Sequence, residues 1–198
     1  MTAPAKLVPP RRSLDAAAAL SDEALLAASA TGDLVALDAL FERLNGAVYR
    51  FLGRLALDES ERDDLVQATF LEARRGAPRF RGGSSVKTWV LGIAANLARH
   101  HLRGERRLRE KHARYAEGLH AVPEQPDARI ERRELLREIA GALEALPHDQ
   151  RVTFVLCDLE EVPGVEAARV LGVPQGTVWR RLHVARKAVR AAVERATR

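Results

Sequence analysis

The sequence predicts an all-α protein made of two small helical domains, an N-terminal helix bundle and a C-terminal helix-turn-helix, joined by a flexible linker. Apolar residues recur every three or four positions in two long stretches, residues 21–108 and 130–195. Between these stretches, prolines such as Pro123 and Pro126 interrupt the helical pattern. No strand-like alternation of useful length and no internal repeat occurs in the sequence. Helices packed in two groups are therefore expected.

The charge of the chain favours a polyanionic partner. Lys and Arg number 32 against 27 Asp and Glu, which gives a formal net charge of +5, and hydrophobic residues make up 46% of the chain. This apolar share supports packed cores rather than a disordered chain. The positive excess is typical of proteins that bind nucleic acid, although a solvated basic surface would also produce it. The composition alone leaves these two interpretations open.

Features that would direct the chain out of the cytoplasm are not found in the sequence. Cys157 is the single cysteine, so no disulfide can form within the chain, as expected in a reducing compartment. No apolar run approaches the roughly 18 residues that a membrane span requires. Near the N-terminus, Pro9 and Pro10 interrupt any apolar signal core. We therefore expect a cytoplasmic protein.

Helix-breaking residues suggest the limits of the domains. Three prolines within the first ten residues predict a disordered leader over residues 1–20. The first helical domain is expected at residues 21–113 and the second at residues 130–198. A flexible linker over residues 114–129 would join them. The chain would thus consist of two modules on a tether.

Residues that cap helices indicate where the helices of the first domain begin. Ser21, Asp33 and the pair Ser84-Ser85 each precede a run of apolar residues at helical spacing. Gly76 and Pro78 end the third helix of this series. The four predicted helices lie at residues 22–31, 34–55, 60–75 and from 86 onwards.

The fourth predicted helix has two different faces. Four apolar residues share one side, which should pack on the core: Val86, Val90, Ile93 and Leu97. A turn of about 100° per residue places a second set on another side. We expect this second set to face solvent: Asn96, Arg99, Arg103 and Arg106.

The second domain ends in two helices joined by a tight turn. Helical or apolar segments are predicted at residues 130–146, 152–159, 165–171 and 175–195. Gly172 suits the left-handed conformation that follows a helix, and Pro174 suits the first turn of the next. Two helices joined in this way, the second of them basic, form the layout of a helix-turn-helix.

The last helix of this motif has an apolar face and a basic face. Four residues fall within a narrow arc that should face the core: Val178, Leu182, Ala185 and Val189. The opposite side carries Gly176, Arg180, His183 and Lys187. Trp179 and Arg186 lie on one flank, whereas Arg181 lies on the other, close to the buried edge.

This arrangement divides the roles that the helix would have in a major groove. Arg180 and His183 are best placed to reach base edges, and Gln175 and Thr177 would assist at the start of the helix. Phosphate contacts, which position a helix without reading sequence, are expected from three further cations: Arg181, Arg186 and Lys187. A solvated basic face on an ordinary terminal helix is the alternative. The tight turn and the apolar face fit together, which favours DNA binding.

Several short motifs occur in both halves of the chain. The first half carries Asp64-Leu65-Val66-Gln67, Thr69-Phe70-Leu71, Phe80-Arg81-Gly82, Ser84-Ser85, Thr88-Trp89, Ile93-Ala94 and Asn96-Leu97-Ala98-Arg99. The second half carries Leu146-Pro147, Gln150-Arg151, Leu159-Glu160, Leu171-Gly172-Val173-Pro174-Gln175-Gly176-Thr177-Val178, Arg181-Leu182-His183 and Ala185-Arg186-Lys187. In this order, the motifs resemble the extracytoplasmic-function sigma factors of bacterial RNA polymerase. The resemblance covers residues 21–108 and 130–187.

The resemblance implies a role in transcription initiation. A protein of this family binds core RNA polymerase through the clamp helices and the flap, recognises the −35 promoter element as duplex DNA and opens the −10 element into single strands. An anti-sigma factor is a further implied partner, whereas no cofactor, metal or small-molecule substrate is implied. The residues that match the polymerase-docking segment are Asp64, Gln67, Phe70 and Leu71.

The resemblance also assigns the −10 element to the fourth predicted helix and the loop before it. Bases that leave the duplex need pockets and stacking surfaces to hold them. The residues implied in these contacts are Arg81, Gly82, Ser84, Ser85, Lys87, Trp89, Asn96, Arg99 and Arg103. Trp89 borders the buried face, so it either stacks on a base or packs in the core. On the last helix, Val184 joins Gln175, Thr177, Arg180 and His183 as a residue implied in contacts with the −35 element.

Some positions depart from the usual pattern of the family. Ala68 and Arg74 stand where the docking segment commonly has a Glu and an aromatic residue. Pro163-Gly164 replaces the usual polar cap before the first helix of the helix-turn-helix, so that helix would start loosely. Trp179 and Val184 stand where Lys or Arg is frequent. The usual DNA sequence preference of the family is therefore not carried over to this chain.

An enzyme is the first alternative class of protein. The histidines are scattered, and the sequence contains no His-Glu-x-x-His pattern, phosphate-binding glycine loop or nucleophile elbow. Cys157 lies in an apolar run, where a small core residue is expected. A zinc site that joins Cys157 to His148 or His183 is the weaker interpretation. We expect no catalytic residue in this chain, since catalysis belongs to the polymerase.

A stand-alone helix-turn-helix repressor or activator is the second alternative. It would account for residues 165–187 but would leave the first half of the chain without a purpose. The two classes differ in one test. A sigma factor added to core polymerase starts transcription from a promoter, whereas a repressor does not.

Overall fold

The fold is helical, as the sequence predicts. The computed structural model describes residue 17 and residues 19–55, 57–112 and 130–197. These residues contain no strand, and their α-helices are α1 (Asp22–Ala30), α2 (Leu34–Gly53), α3 (Glu59–Gly76), α4 (Val86–His112), α5 (Ile130–Glu144), α6 (His148–Phe154), α7 (Gly164–Leu171) and α8 (Gln175–Ala196). The predicted linker and most of the predicted leader lie outside the described residues. The all-α class with two small helical domains is confirmed.

Side-chain caps fix the start of the first helices, because the first backbone N–H groups of a helix have no partner within it. Ser21 Oγ accepts a hydrogen bond of 3.2 Å from the N–H of Ala24. The Asp33 carboxylate accepts two bonds of 3.1 Å from the first turn of α2. Before α3, Asp58 and Glu61 each accept from the other's backbone N–H and form a capping box. The predicted caps Ser21 and Asp33 are thus confirmed.

The N-terminal domain packs α1 to α4 around a core of aliphatic residues and two phenylalanines, Phe51 and Phe70. Its largest fully buried side chains include Leu25, Leu26, Leu40, Phe51, Leu52 and Val90. Ala17, which lies within the predicted leader, is also fully buried in this core. Packing against the N-terminal core thus includes a residue that precedes the predicted first helix.

The C-terminal domain holds its last helix against α5, α6 and α7. Val178, Leu182 and Ala185 are at most 1% exposed, as the apolar face of α8 predicts. Gly172 has φ +64°, the left-handed conformation that the sequence predicts for the turn between α7 and α8. A π-helical turn (Val155–Leu159), which the sequence pattern does not predict, continues α6.

The two domains contact each other along α4. The backbone of Gly92 in α4 lies so close to α7 that a Cβ atom on Gly92 would be 2.8 Å from Val170 Cβ. Arg151 in α6 is 8% exposed, and its guanidinium donates a hydrogen bond of 2.7 Å to the carbonyl of Leu55 in the N-terminal domain. One hydrophobic core consequently includes residues of both domains.

This contact corrects the predicted faces of α4. Asn96 and Arg99 are half-buried instead of facing solvent, because the C-terminal domain packs on them. Arg103 is exposed as expected, and the side chain of Arg106 lies outside the described residues. On the core side, Val86 and Val90 are buried, whereas Ile93 and Leu97 lie at its edge. The other buried residues in the described part of α4 are Thr88, Leu91, Gly92, Ala94, Ala95 and Ala98.

None of the helices in the described part of the chain is long and apolar enough to cross a membrane.

Candidate nucleic-acid interface

The outer face of α8 is open to solvent. Arg180, His183 and Lys187 are exposed, on the side opposite the buried Val178 and Leu182. At the start of the helix, the predicted base-contacting residue Gln175 is exposed and Thr177 is half-buried. A helix that is anchored by its apolar face and offers polar side chains on the other can lie in a major groove.

Two of the predicted phosphate-binding cations form ion pairs with α6 and the turn that follows it. Arg181 Nη2 lies 2.6 Å from Asp149 Oδ2. Arg186 donates through Nε and Nη2 to both oxygens of Asp158, at 2.8 and 2.6 Å. The hydrogen bond to Asp158 raises the pKa of Arg186. These pairs hold α8 against α6, so both arginines position the helix in addition to any role on DNA.

Two exposed apolar side chains also lie on α8. Trp179 is 50% exposed and Val184 is 42% exposed. The Trp179 ring rests against Gly164 at the start of α7, where a Cβ atom would be 3.2 Å from Trp179 Cη2. The Trp179 ring is therefore supported by α7, whereas Val184 projects from the surface of α8.

The loop before α4 combines a tight turn with a helix cap. Gly82 has φ +67°, which favours glycine, and Arg81 and Gly82 are both exposed. Ser85 Oγ accepts the N–H of Thr88 at 3.0 Å, so its predicted capping role is confirmed. Ser84 is half-buried and donates to the carbonyl of Ser85.

Trp89 is half-buried and packs at the edge of the core. Its ring centroid lies 5.3 Å from that of Phe80, with the planes tilted by 54°. This packing supports a core role for Trp89. The other alternative, stacking on a base, stays a prediction, since part of the ring remains exposed.

The C-terminal domain contacts part of the predicted −10 surface, at Lys87, Asn96 and Arg99. Lys87 Nζ lies 2.8 Å from Glu160 Oε2, and Arg54 Nη1 lies 2.6 Å from the other oxygen of the same carboxylate. Asn96 Oδ1 accepts a hydrogen bond of 2.7 Å from Arg99, and both line a small cavity with residues of α6 and α8. Asn96 and Arg99 are therefore half-buried against the C-terminal domain, and Lys87 is paired with Glu160 although its side chain is still 43% exposed.

His148 lines the same small cavity from the side of the C-terminal domain. Burial lowers the pKa of His148, and the Asp149 carboxylate acts in the opposite direction. The described residues contain no group of three His, Cys, Asp or Glu side chains that could hold a metal ion.

An apolar groove of about 300 Å³ lies between α2 and α3. It is lined by Leu34, Leu37, Asp38, Phe41, Gln67, Phe70 and Leu71. Leu34 is 63% exposed and Leu71 is 51% exposed, whereas Phe70 is only 4% exposed. The ring of Phe70 meets that of Phe41 edge-on at 4.8 Å. Of the residues predicted to dock on polymerase, Gln67 and Leu71 line the groove from outside, Phe70 forms its floor and Asp64 is exposed nearby on α3.

Sequence reasoning missed the residues that join the domains. Glu160 and Arg151 belong to sequence motifs, but these motifs do not assign them a contact between the domains. Arg54 lies in no motif. No periodicity identifies such contacts, because the partners lie about a hundred residues apart, as the separations of 106 and 96 positions for Arg54–Glu160 and Arg151–Leu55 show. The apolar helical pattern of residues 34–55 likewise predicts that Leu34 faces the core, whereas the structure shows that its side chain is exposed.

Two family models match the two domains. The model of Sigma-70 region 2 matches residues 40–108, and that of Sigma-70 region 4 matches residues 136–189. The first match includes α3 with its side of the groove, the loop and most of α4, and the second includes the helix-turn-helix. The two regions follow each other in the order that the sequence motifs predict.

Curated relatives match nearly the whole length of the chain. The ECF RNA polymerase sigma factor SigC of Mycobacterium tuberculosis is 36% identical over 181 residues, which cover 90% of this chain and 96% of that protein. The RNA polymerase sigma-H factor of Pseudomonas aeruginosa is 31% identical over 181 residues, which cover 87% and 94%. The chain therefore belongs to the ECF sigma factors of bacterial RNA polymerase. It binds core RNA polymerase and directs initiation at specific promoters by recognising the −35 and −10 elements and melting the −10 region.

Solved structures are similar in fold. CnrH in complex with the cytosolic domain of CnrY is 25% identical, covers 87% of this chain and 97% of that chain, and has a TM-score of 0.62. The sigma factor RpoE in complex with the anti-sigma factor NepR from Bartonella quintana is 24% identical, covers 78% and 94%, and has a TM-score of 0.61. The second of these is similar in fold alone.

Proposed function

We propose that the outer face of α8 reads the −35 element as duplex DNA. The observation that carries this assignment is the exposure of Arg180 and His183 on a helix whose opposite face is anchored by Val178 and Leu182. The proposed base-contacting residues are Gln175, Thr177, Arg180, His183 and Val184. Guanidinium and imidazole groups donate to base edges in the major groove, which is where a helix of this width fits.

The phosphate contacts of the same helix come from Lys187, Arg181 and Arg186. Lys187 is exposed on the outer face, and Arg186 is more than half exposed even while it binds Asp158. Arg181 is more enclosed, and its contact with a phosphate requires the guanidinium to share or leave Asp149. Such contacts add affinity but no sequence preference.

The loop before α4 and the exposed side of α4 hold the −10 element as single-stranded DNA. The proposed contacts are Arg81, Gly82, Ser84, Ser85, Lys87, Trp89, Asn96, Arg99 and Arg103. The positive φ of Gly82 and the serine-rich loop support a pocket for an unstacked base. Because the C-terminal domain packs on Asn96 and Arg99 and its Glu160 pairs with Lys87, the proposal requires the domains to separate before promoter opening.

The groove between α2 and α3 receives the clamp helices of core polymerase. Its exposed leucines, Leu34 and Leu71, would become buried against an amphipathic partner helix, and Asp64 and Gln67 would offer polar contacts beside them. Phe70 supports the groove from below. The C-terminal domain would meet the flap.

The remaining assignments follow from membership in the family. We place the polymerase- and −10-binding domain at residues 21–113, the linker at 114–129 and the −35-binding domain at 130–198. The chain acts in the cytoplasm, where the polymerase is, and leaves catalysis to the polymerase. CnrH is bound by the cytosolic domain of CnrY and RpoE by the anti-sigma factor NepR, which supports an anti-sigma factor as a partner here.

The test is run-off transcription with core RNA polymerase and this chain across a library of genomic promoters. The wild-type chain should start transcription at a defined set of promoters. The double variant R180A/H183A should bind core polymerase normally but lose that set, since both side chains are exposed and only the DNA contacts change. Unchanged promoter choice in the double variant would contradict the assignment of α8.

A further inference from the structure

The outer face of α8 carries an exposed apolar residue, Val184, among its polar and charged residues. Val184 is 42% exposed, and it follows Arg180 by four residues, which is about one helical turn. Val184 thus lies beside Arg180 on the side of α8 that faces away from Val178. The methyl groups of an exposed valine are unfavourably solvated by water. Contact with another apolar group removes them from water and lowers the free energy.

The length of the side chain restricts what Val184 can touch on DNA. Valine ends in two methyl groups one bond beyond Cβ, so it cannot extend to a phosphate as Lys187 can. Its two methyl groups offer neither a donor nor an acceptor to the bases. In the major groove, the one apolar group on a base edge is the 5-methyl group of thymine. A valine on the groove-facing side of a recognition helix fits that group.

The other exposed apolar residue of α8 has a different environment. Trp179 rests on Gly164 of α7, as the distance of 3.2 Å between its Cη2 and a Cβ placed on Gly164 shows. A turn of about 100° per residue places Trp179 on the opposite edge of the outer face from Val184. Its ring is therefore fixed beside the groove-facing residues and is not needed for the contact that Val184 makes.

We propose that Val184 reads the 5-methyl group of a thymine in the −35 element. This inference rests on the proposed insertion of α8 into the major groove. The contact would set the preference for an A·T pair with thymine on one particular strand, next to the pair that Arg180 reads.

The experiment begins with a selection by the holoenzyme. Core RNA polymerase carrying the full chain is used to select promoters from a library with randomised base pairs in the −35 region. Each thymine of the selected element is then replaced by deoxyuridine, which removes only the 5-methyl group. Binding and run-off transcription are measured for every substituted duplex.

One thymine should respond in the wild-type holoenzyme. Its replacement by deoxyuridine should weaken binding about fourfold, which corresponds to ~0.8 kcal/mol for one buried carbon group. In Val184→Ala, the thymine and deoxyuridine duplexes should bind equally. Val184→Ile keeps an apolar side chain branched at Cβ and should keep the discrimination. Val184→Arg should change the preferred base at this pair from thymine to guanine, because arginine pairs with the guanine edge.

A matched control is provided by Val165→Ala, a valine of α7 that is 49% exposed and lies outside the recognition helix. This variant should discriminate between thymine and deoxyuridine as the wild type does. Three outcomes would each overturn the inference: a selected element without an A·T pair next to the pair that Arg180 reads, equal binding of all thymine and deoxyuridine duplexes, or discrimination that survives in Val184→Ala. If the selection yields no preferred −35 sequence at all, the proposed function of α8 fails instead.

Discussion

Arg180 and Arg137 are both exposed arginines, but only Arg180 lies on the outer face of α8. Arg180→Ala should weaken binding of the selected −35 duplex by about 1–3 kcal/mol, the range for one good base contact. Arg137→Ala removes the same charge from α5 and should change the affinity much less. The measurement is the affinity of each holoenzyme for the duplex at one fixed salt concentration. An equal loss of affinity in the two variants would mean that binding depends on the total charge of the chain and not on a base contact made by Arg180.

Cys157 provides a test of burial at a single side chain. Burial raises the pKa of its thiol to about 11 from an ordinary value of 9.0, and the nearby Asp158 carboxylate adds to this effect. At pH 8, the thiolate fraction should therefore be roughly 100-fold lower in the folded chain than in the unfolded chain. Because Cys157 is the single cysteine, its reaction with iodoacetamide can be followed directly.

The same pKa shift predicts how stability changes in alkaline solution. Below pH 9 the thiol is protonated in both states. As the pH rises from about 9 to about 11, the unfolded chain loses this proton and the folded chain keeps it, so the contribution of Cys157 to stability decreases. Replacement by Ser or Ala should remove this part of the pH dependence. Rapid alkylation of the folded chain at pH 8 would contradict the assigned burial.

At the scale of the helix, two neighbouring residues of α3 have different roles: Phe70 stabilises the domain, whereas Leu71 can contact a partner. Leu71 is 51% exposed on the rim of the groove, and Phe70 is 4% exposed on its floor. Leu71→Ala should weaken binding to core polymerase and leave the free energy of unfolding within ~0.5 kcal/mol of the wild type. Phe70→Ala should instead cost about 3–5 kcal/mol of stability, because it leaves a cavity beside Phe41.

The control for Leu71 is Leu159→Ala, since Leu159 is 41% exposed and lies in the C-terminal domain, away from the groove. Polymerase affinity should be lower for Leu71→Ala than for Leu159→Ala, as measured by competition for core enzyme. Equal affinity of the two variants would argue against the groove as the docking surface.

Local chemistry explains why the limits of the helices were largely predictable. Ser21, Asp33 and Ser85 cap helices through atoms that lie within three residues along the chain, so the sequence pattern contains both partners. The π-helical turn (Val155–Leu159) was not predicted, because an apolar run does not distinguish it from an ordinary helical turn.

At the scale of the whole molecule, closure of the two domains depends on the close approach of α4 and α7 at Gly92. Gly92→Ala places a methyl group 2.8 Å from Val170 Cβ, so the two helices must move apart. Within α4 itself, alanine is favoured over glycine by roughly 1 kcal/mol. The variant should therefore weaken the contact between the domains while the N-terminal domain stays folded.

The opening should appear as a larger radius of gyration in small-angle X-ray scattering and as faster reaction of probes on α4. Gly141→Ala is the matched control, because Gly141 is also helical and a Cβ atom there would meet no neighbour within 4 Å. It should leave the dimensions of the chain unchanged. A Gly92→Ala chain with the wild-type radius of gyration would show that α4 and α7 accommodate the added methyl group while the two domains stay in contact.

The candidate surfaces were predicted with unequal success, for a physical reason. The outer face of α8 follows from the helical period, which places Arg180 and His183 opposite Val178. The same reasoning misplaced Asn96 and Arg99, because their burial depends on a second domain that the period of α4 does not describe. Exposure of Leu34 and Leu71 on one groove likewise depends on how α2 and α3 pack.

The sequence by itself determined the α-helices, the caps at Ser21 and Asp33, the turn at Gly172 and the side of α8 that meets solvent. These properties depend on residues that lie within one or two helical turns of each other. Only the tertiary structure decided that Glu160 binds Arg54 and Lys87, and that the C-terminal domain covers α4. Such contacts join segments far apart along the chain, so their geometry results from the packing of whole domains.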